Sequence, residues 1–153
     1  MSGPITTEDL ARSVDDADGA PFILDVRAPD QIERWQIEGK ADLETVNIPY
    51  WNAITEDEKI REVVPKDRDV VVVCAHGDSS DLVVETVGLA NLHNLAGGMD
   101  AWARTLVPRP LYDDGRKFVI QLDRIAKACL SYAVGSRGSS MAVIDPAADS
   151  SAS

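Results

Sequence analysis

The sequence predicts an α/β fold: a small parallel sheet covered by helices on both faces, with a C-terminal β-hairpin appendage. Three observations predict it. Short apolar runs alternate with segments of helical periodicity as far as Leu106. The run Val70-Val71-Val72-Val73 does not alternate with polar residues, so both of its faces must be covered, as in the centre of a parallel sheet. Beyond Pro108-Arg109-Pro110 the pattern changes to strands joined by a glycine-containing turn.

Each element has a local reason. Thr6 can cap a short helix from Thr7 to Val14 that carries acids in its first turn, and Asp15 to Gly19 reads as a loop. Pro21 to Arg27 is an apolar run bounded by proline, glycine and charge. It is expected as a buried strand, with Asp25 and Arg27 at its C-terminal edge. A short helix is expected over Pro29 to Trp35, and a short strand over Val46 to Pro49, closed by the proline. Thr55 to Val64 reads as an acidic helix, and Asp69 to Cys74 as the most hydrophobic strand. Ser79 to Ala90 places Leu82, Val83, Thr86, Val87 and Leu89 at helical spacing. His93-Asn94-Leu95 is a further strand and Gly98 to Leu106 a further helix. The expected organisation is a domain over 5–107, a linker over 108–116, a hairpin over 117–146 and a disordered polar tail over 147–153. Within the hairpin, Lys117 to Leu122 and Cys129 to Val134 read as strands, and Met141 to Asp145 as a return strand after the turn Gly135 to Gly138.

A length of 153 residues and 44% apolar content suit one compact domain and a short appendage. The 26 acidic against 15 basic residues leave a net charge of −11, which repels phosphate backbones and anionic lipid. Nucleic acid and membrane surfaces are therefore not expected as partners. The acid is mostly Asp and the base mostly Arg, a bias shared with proteins of salt-loving cells and compatible with an ordinary acidic protein. Met1-Ser2-Gly3-Pro4 leads directly into polar sequence and no apolar run reaches membrane-spanning length, so a cytoplasmic location is expected. In such a compartment Cys74 and Cys129 are not expected to form a disulfide.

The chemistry points to Cys74. Ligands bind beyond the carboxyl ends of parallel strands, where the next helix presents free amides. The turn Cys74-Ala75-His76-Gly77-Asp78-Ser79-Ser80 stands at that point. Gly77 allows backbone angles closed to other residues, so the loop can fold its N–H groups inward around the sulfur. Such a nest stabilises a thiolate and equally the terminal sulfur of a persulfide. The Cys-x-x-Gly spacing alone also fits a buried, inert cysteine.

The loop resembles the active-site loop of rhodaneses, and the resemblance extends along the chain. Leu24-Asp25-Val26-Arg27 is similar to the family's Asp-x-Arg strand, Trp35 to Pro49 to its stretch ending in Asn-Ile-Pro, and Leu95-Ala96-Gly97-Gly98-Met99-Asp100-Ala101-Trp102 to its Gly-Gly-x-x-x-Trp signature. The resemblance implies a rhodanese-like sulfurtransferase domain in which the cysteine takes the outer sulfur of thiosulfate, releases sulfite, and passes the sulfur to cyanide or a thiol. It implies Cys74 as nucleophile and Ala75, His76, Gly77, Asp78, Ser79 and Ser80 as substrate-binding, with no metal and no cofactor. The expected partners are a small-molecule sulfur donor and a thiol or cyanide acceptor, including a protein acceptor. Ser79 and Ser80 can serve as hydroxyl donors or as helix caps; His76 can line the mouth or stand in solvent. Asp78 departs from what an anion-binding loop needs, because turned inward it would weaken thiosulfate binding. Asp25 and Arg27 are supporting residues, either touching substrate or forming an internal salt bridge that could include Glu33. Phosphatases of similar loop geometry use Cys-x5-Arg; position 80 is serine here, which disfavours phosphoryl chemistry.

Residues 117–146 resemble the opening hairpin of a metallo-β-lactamase-fold domain, as found fused to rhodanese domains. That fold's His-x-His-x-Asp-His ligands cannot come from a sequence whose only histidines are His76 and His93, so a relic or fragment is expected. Cys129, placed within a strand, is expected to pack rather than react.

Overall fold

The computed structural model describes residues 3–16, 19–40 and 42–146. The expected tail 147–153 and the Met1-Ser2 start lie outside the described residues. The chain divides into two compact units, Met1–Trp102 and Ala103–Ser153.

The first unit is built on a four-stranded parallel sheet. In chain order it contains α1 (Thr7–Ser13), β1 (Phe22–Asp25), α2 (Pro29–Arg34), β2 (Thr45–Asn47), α3 (Tyr50–Ala53), α4 (Asp57–Val63), β3 (Val70–Val73), α5 (Asp78–Val87), β4 (Leu92–Asn94) and α6 (Gly98–Trp102). The strand order is β2-β1-β3-β4, with every pairing parallel. Thr6 caps α1 by accepting from the Asp9 amide, as its position in the sequence predicts. α5 stops at Val87 because Gly88 adopts a left-handed conformation, φ +65, three residues before the expected end at Ala90.

Pleat periodicity divides the core. Phe22, Leu24, Val70 and Val72 form one face and pack with Ala53, Ile60, Val64, Val83 and Val87 of the α3–α5 layer. Ile23, Val71 and Val73 belong to the other face and are equally buried. Leu10 and Ala11 of α1 and Met99 and Trp102 of α6 are buried apolar helix residues outside the first cluster. All four valines of β3 are fully buried, so the strand gains about 25 cal/mol for each Å² of apolar surface it removes from water. Nothing in the sequence pattern announces α3, whose first turn follows Pro49 and is tied to the residue after β1 by the Tyr50 amide donating to the Val26 carbonyl at 2.9 Å.

The second unit is a four-stranded antiparallel meander, β5 (Val107–Asp113), β6 (Lys117–Arg124), β7 (Cys129–Ser136) and β8 (Met141–Ile144), paired in that order. Residues expected as a linker over 108–116 are largely β5. Pro108 and Pro110 break the sequence pattern, yet they have the same pleat parity opposite Leu122 and Ile120 and sit on an edge strand, where a missing N–H breaks no ladder. Asp114 organises the β5–β6 turn by accepting from the Arg116 amide at 2.8 Å and the Lys117 amide at 2.6 Å. These bonds hold its carboxyl below the ordinary carboxylate range, and the Tyr112 hydroxyl, donating to it, lowers it further. Asp113 is lowered likewise, first by the Gly115 amide and then by Arg137. Cys129 is exposed rather than packed, because it opens β7 directly after a turn in which Ala128 has φ +50. Among the described residues no helix is long and apolar enough to cross a membrane.

Candidate active site

Cys74 follows β3, one of the two central strands, at the carboxyl end of the parallel sheet, and is 5% exposed. Its Sγ accepts the Gly77 N–H at 3.0 Å and lies 3.1 Å from the Ser80 hydroxyl. Gly77 has φ +105, a conformation that an L side chain rarely adopts, and this bend turns its amide back toward the sulfur. Gly77 is also the N-cap of α5, and no side chain caps that helix. The unpaired first-turn amides and the positive end of a ten-residue helix therefore open on the loop that holds Sγ.

The loop is fastened from a second side. The Met99 amide donates to the Cys74 carbonyl at 2.9 Å and the Asp100 amide to the Ala75 carbonyl at 3.0 Å. Gly98 makes this approach possible. A Cβ at that position would stand 2.4 Å from the Cys74 carbonyl oxygen and 2.7 Å from the Ala75 carbonyl carbon. The Gly-Gly pair is thus a backbone-to-backbone seat for the cysteine loop.

Asp25 and Arg27 form the third support. The Arg27 guanidinium grips the Asp25 carboxylate with Nε at 3.0 Å and the terminal nitrogen at 2.6 Å, and that nitrogen also donates to the Trp35 carbonyl at 2.7 Å. Both residues are buried, and Asp25 is in register with Val73, the residue before Cys74. Glu33, the expected additional partner, is exposed; the backbone carbonyl of Trp35 takes its place. Asn47 donates to the carbonyls of Asp25 and Arg27 at 2.8 and 2.9 Å, joining β2 to the turn after β1.

The residues singled out by sequence thus divide. Cys74, Gly77 and Ser80 meet at the sulfur, and the Ala75 carbonyl serves the loop's anchorage. His76 is exposed at the rim, its Nδ1 2.8 Å from Asp100 Oδ2. Asp78 is exposed at the start of α5, and Ser79 is half-buried beside it. Sequence reasoning missed Asn94, whose Oδ1 lies 2.7 Å from the Ser80 hydroxyl, and the anchoring amides of Met99 and Asp100. The Gly-Gly motif marked the place of the anchor but not its bonds.

The rhodanese-like domain model matches residues 6–105 of the chain. A protein named sulfurtransferase from Allochromatium vinosum is 31% identical over 111 residues, covering 71% of this chain and 94% of that protein. The adenylyltransferase and sulfurtransferase uba4 of Ogataea parapolymorpha is 31% identical over 100 residues; the match takes in 63% of this chain but spans only 24% of the relative's length. Among solved structures, a rhodanese-like domain protein from Staphylococcus aureus superposes with a TM-score of 0.53 at 25% identity, over 75% of this chain and 95% of that one. With the family model matched over most of its length and the cysteine loop seated at the end of the parallel sheet, the chain belongs to the rhodanese-like family.

Proposed function

We propose that the protein is a sulfurtransferase that moves sulfane sulfur from thiosulfate or a persulfide to a thiol or cyanide through a persulfide on Cys74. The observation that carries this reading is the pair of donors converging on Sγ, the Gly77 amide and the Ser80 hydroxyl, at the uncapped N-terminus of α5. Donors so placed favour a charged sulfur, whether the Cys74 thiolate or the terminal sulfur of its persulfide. In the first half-reaction the thiolate attacks the outer sulfur of the donor, the donor's S–S bond breaks, and sulfite or a thiolate leaves with the bonding pair. In the second, the acceptor attacks the terminal sulfur and Cys74 departs as the thiolate, held again by the same donors. No general base is required if the acceptor arrives as an anion.

The surroundings of the loop bear on the substrate. Asp78, Asp81 and Asp100 are exposed around it, and the loop contains no arginine or lysine. A dianion such as thiosulfate is repelled by such a rim, whereas a donor of low charge is not. Thiosulfate is accordingly a serviceable laboratory donor, and a persulfide the better-suited one. We further propose that 117–146 is the opening of a metallo-β-lactamase-fold domain, a reading that the antiparallel order β6-β7-β8 supports.

Thiocyanate formation from thiosulfate and cyanide by the wild type and by Cys74→Ser tests the function. Thiocyanate that depends on Cys74 supports the enzyme. A gain of one sulfur atom at Cys74 without turnover supports a non-turnover carrier or docking module for a separate sulfur-metabolising protein. Absence of both results, with persulfide donors included, overturns sulfur chemistry at this site.

A further inference from the structure

Ser80 is fully buried beneath the cysteine loop and has a single hydroxyl proton, yet three acceptors stand within its reach. They are Asn94 Oδ1 at 2.7 Å, the Gly77 carbonyl at 3.1 Å and Cys74 Sγ at 3.1 Å. The proton can serve one of them at a time. The shortest contact is to Asn94, the last residue of β4, and the Asn94 amide is oriented from its other end, where Nδ2 donates to Asp81 Oδ1 at 3.3 Å.

This arrangement has two protonic states. With the Asn94 oxygen toward Ser80, the hydroxyl donates to Asn94 and offers its lone pairs to sulfur, which suits an S–H donor, the thiol. A thiolate or persulfide needs the opposite, a hydroxyl that donates to sulfur. Turning the hydroxyl leaves Asn94 Oδ1 without its donor. Turning the amide as well restores a bond from Nδ2 to Ser80 but sets Oδ1 against the Asp81 carboxylate. The Asn94 amide, oriented by Asp81, therefore competes with the charged sulfur for the Ser80 proton.

We propose that Asn94 is a positioning residue for sulfur transfer, its amide determining whether the Ser80 proton points to Asn94 or to the Cys74 sulfur. The inference rests on Cys74 being the reacting sulfur but not on the identity of donor or acceptor. The charged and titratable groups on the elements around the loop are His76, Asp78, Asp81, Glu85, His93, Asp100, Asp25 and Arg27. Asn94→Ala adds or removes no charge among them, and takes from Asp81 only the Nδ2 donor.

The test is the pH profile of iodoacetamide alkylation, followed on the Cys74 peptide of the full chain by mass spectrometry because Cys129 is exposed and also reacts. Alanine removes the nearest competing acceptor and leaves the proton to be shared between sulfur and the Gly77 carbonyl, both at 3.1 Å. The rate on the low-pH arm of the profile is then expected to rise roughly three- to tenfold, the scale of one ordinary net hydrogen bond. Asn94→Asp, a permanent acceptor, is expected to lower that rate by a similar factor. In a Ser80→Ala background the effect of Asn94→Ala disappears and Asn94→Asp retains only its direct charge effect. Should the added carboxylate unfold the protein beside Asp81, Asn94→Leu provides the second arm and shifts the profile as alanine does. A profile unmoved by Asn94→Ala, moved in the same direction by alanine and aspartate, or moved equally with Ser80 absent overturns the proposal. Alkylation requires no sulfurtransferase turnover, so these outcomes stand apart from success or failure of the sulfur-transfer assay.

Discussion

Gly98→Ala is the sharpest structural perturbation of the site. The residue has φ +57, and placing alanine in that left-handed conformation costs about 1 kcal/mol. The new Cβ would stand 2.4 Å from the Cys74 carbonyl oxygen, against an ordinary contact beginning at 3.4 Å, so the loop must withdraw by about 1 Å. Withdrawal stretches the bonds from the Met99 and Asp100 amides, now 2.9 and 3.0 Å, and each contributes about 0.5–1.5 kcal/mol. The expected destabilisation is about 2–4 kcal/mol, measured by urea unfolding. A displacement of about 1 Å at the nucleophile lowers the sulfur-transfer rate about a hundredfold. Gly88→Ala is the control, since that residue has φ +65 but a Cβ there meets nothing closer than the Glu85 carbonyl at 3.9 Å. It is expected to lose about 1 kcal/mol and no activity. Full activity in Gly98→Ala, or an equal loss of activity in Gly88→Ala, would refute the role assigned to the Gly-Gly seat.

Three further outcomes are expected. Arg27→Ala leaves the Asp25 carboxylate buried without its partner and should cost about 3–5 kcal/mol in denaturant unfolding; a loss below about 1 kcal/mol contradicts a supporting role for the pair. Asp78→Asn should raise the second-order rate with thiosulfate roughly three- to fivefold at low salt while leaving an uncharged persulfide donor unaffected; equal effects on both donors would remove the electrostatic reading of the rim. In the second unit, Asp113 and Asp114 titrate below the ordinary carboxylate range. Their contribution is therefore present above the carboxyl value of the unfolded chain and lost as the pH falls through the lowered folded value. Side-chain NMR titration reads this directly, and an Asp114 resonance titrating in the ordinary range would contradict the turn geometry.

The parallel sheet was legible because its signal is local and strong. Four consecutive valines need cover on both faces, and Thr6 announces the start of α1 by a side chain that can reach its own helix. The cysteine loop was legible for the same reason, since Cys74, Gly77 and Ser80 lie within one turn. What was missed is non-local or depends on which side of a strand a residue faces. Pro108 and Pro110 broke the strand pattern although their shared parity on an edge makes them harmless. Asn94 is fourteen residues from Ser80, and nothing in the spacing announces their bond. The Arg27 contact to Trp35 runs to a backbone carbonyl, which no side-chain pattern encodes. Cys129 was misjudged because position within a strand does not specify burial at its first residue.

The central claim is that the Cys74 sulfur carries the transferred atom. Mass spectrometry of the Cys74 peptide, after incubation with a persulfide donor and then with a thiol acceptor, tests it most directly. The account predicts a gain of one sulfur atom on Cys74 alone, abolished by Cys74→Ser and discharged by the acceptor. An unmodified Cys74 while sulfur still reaches the acceptor, or a gain confined to the exposed Cys129, would contradict it.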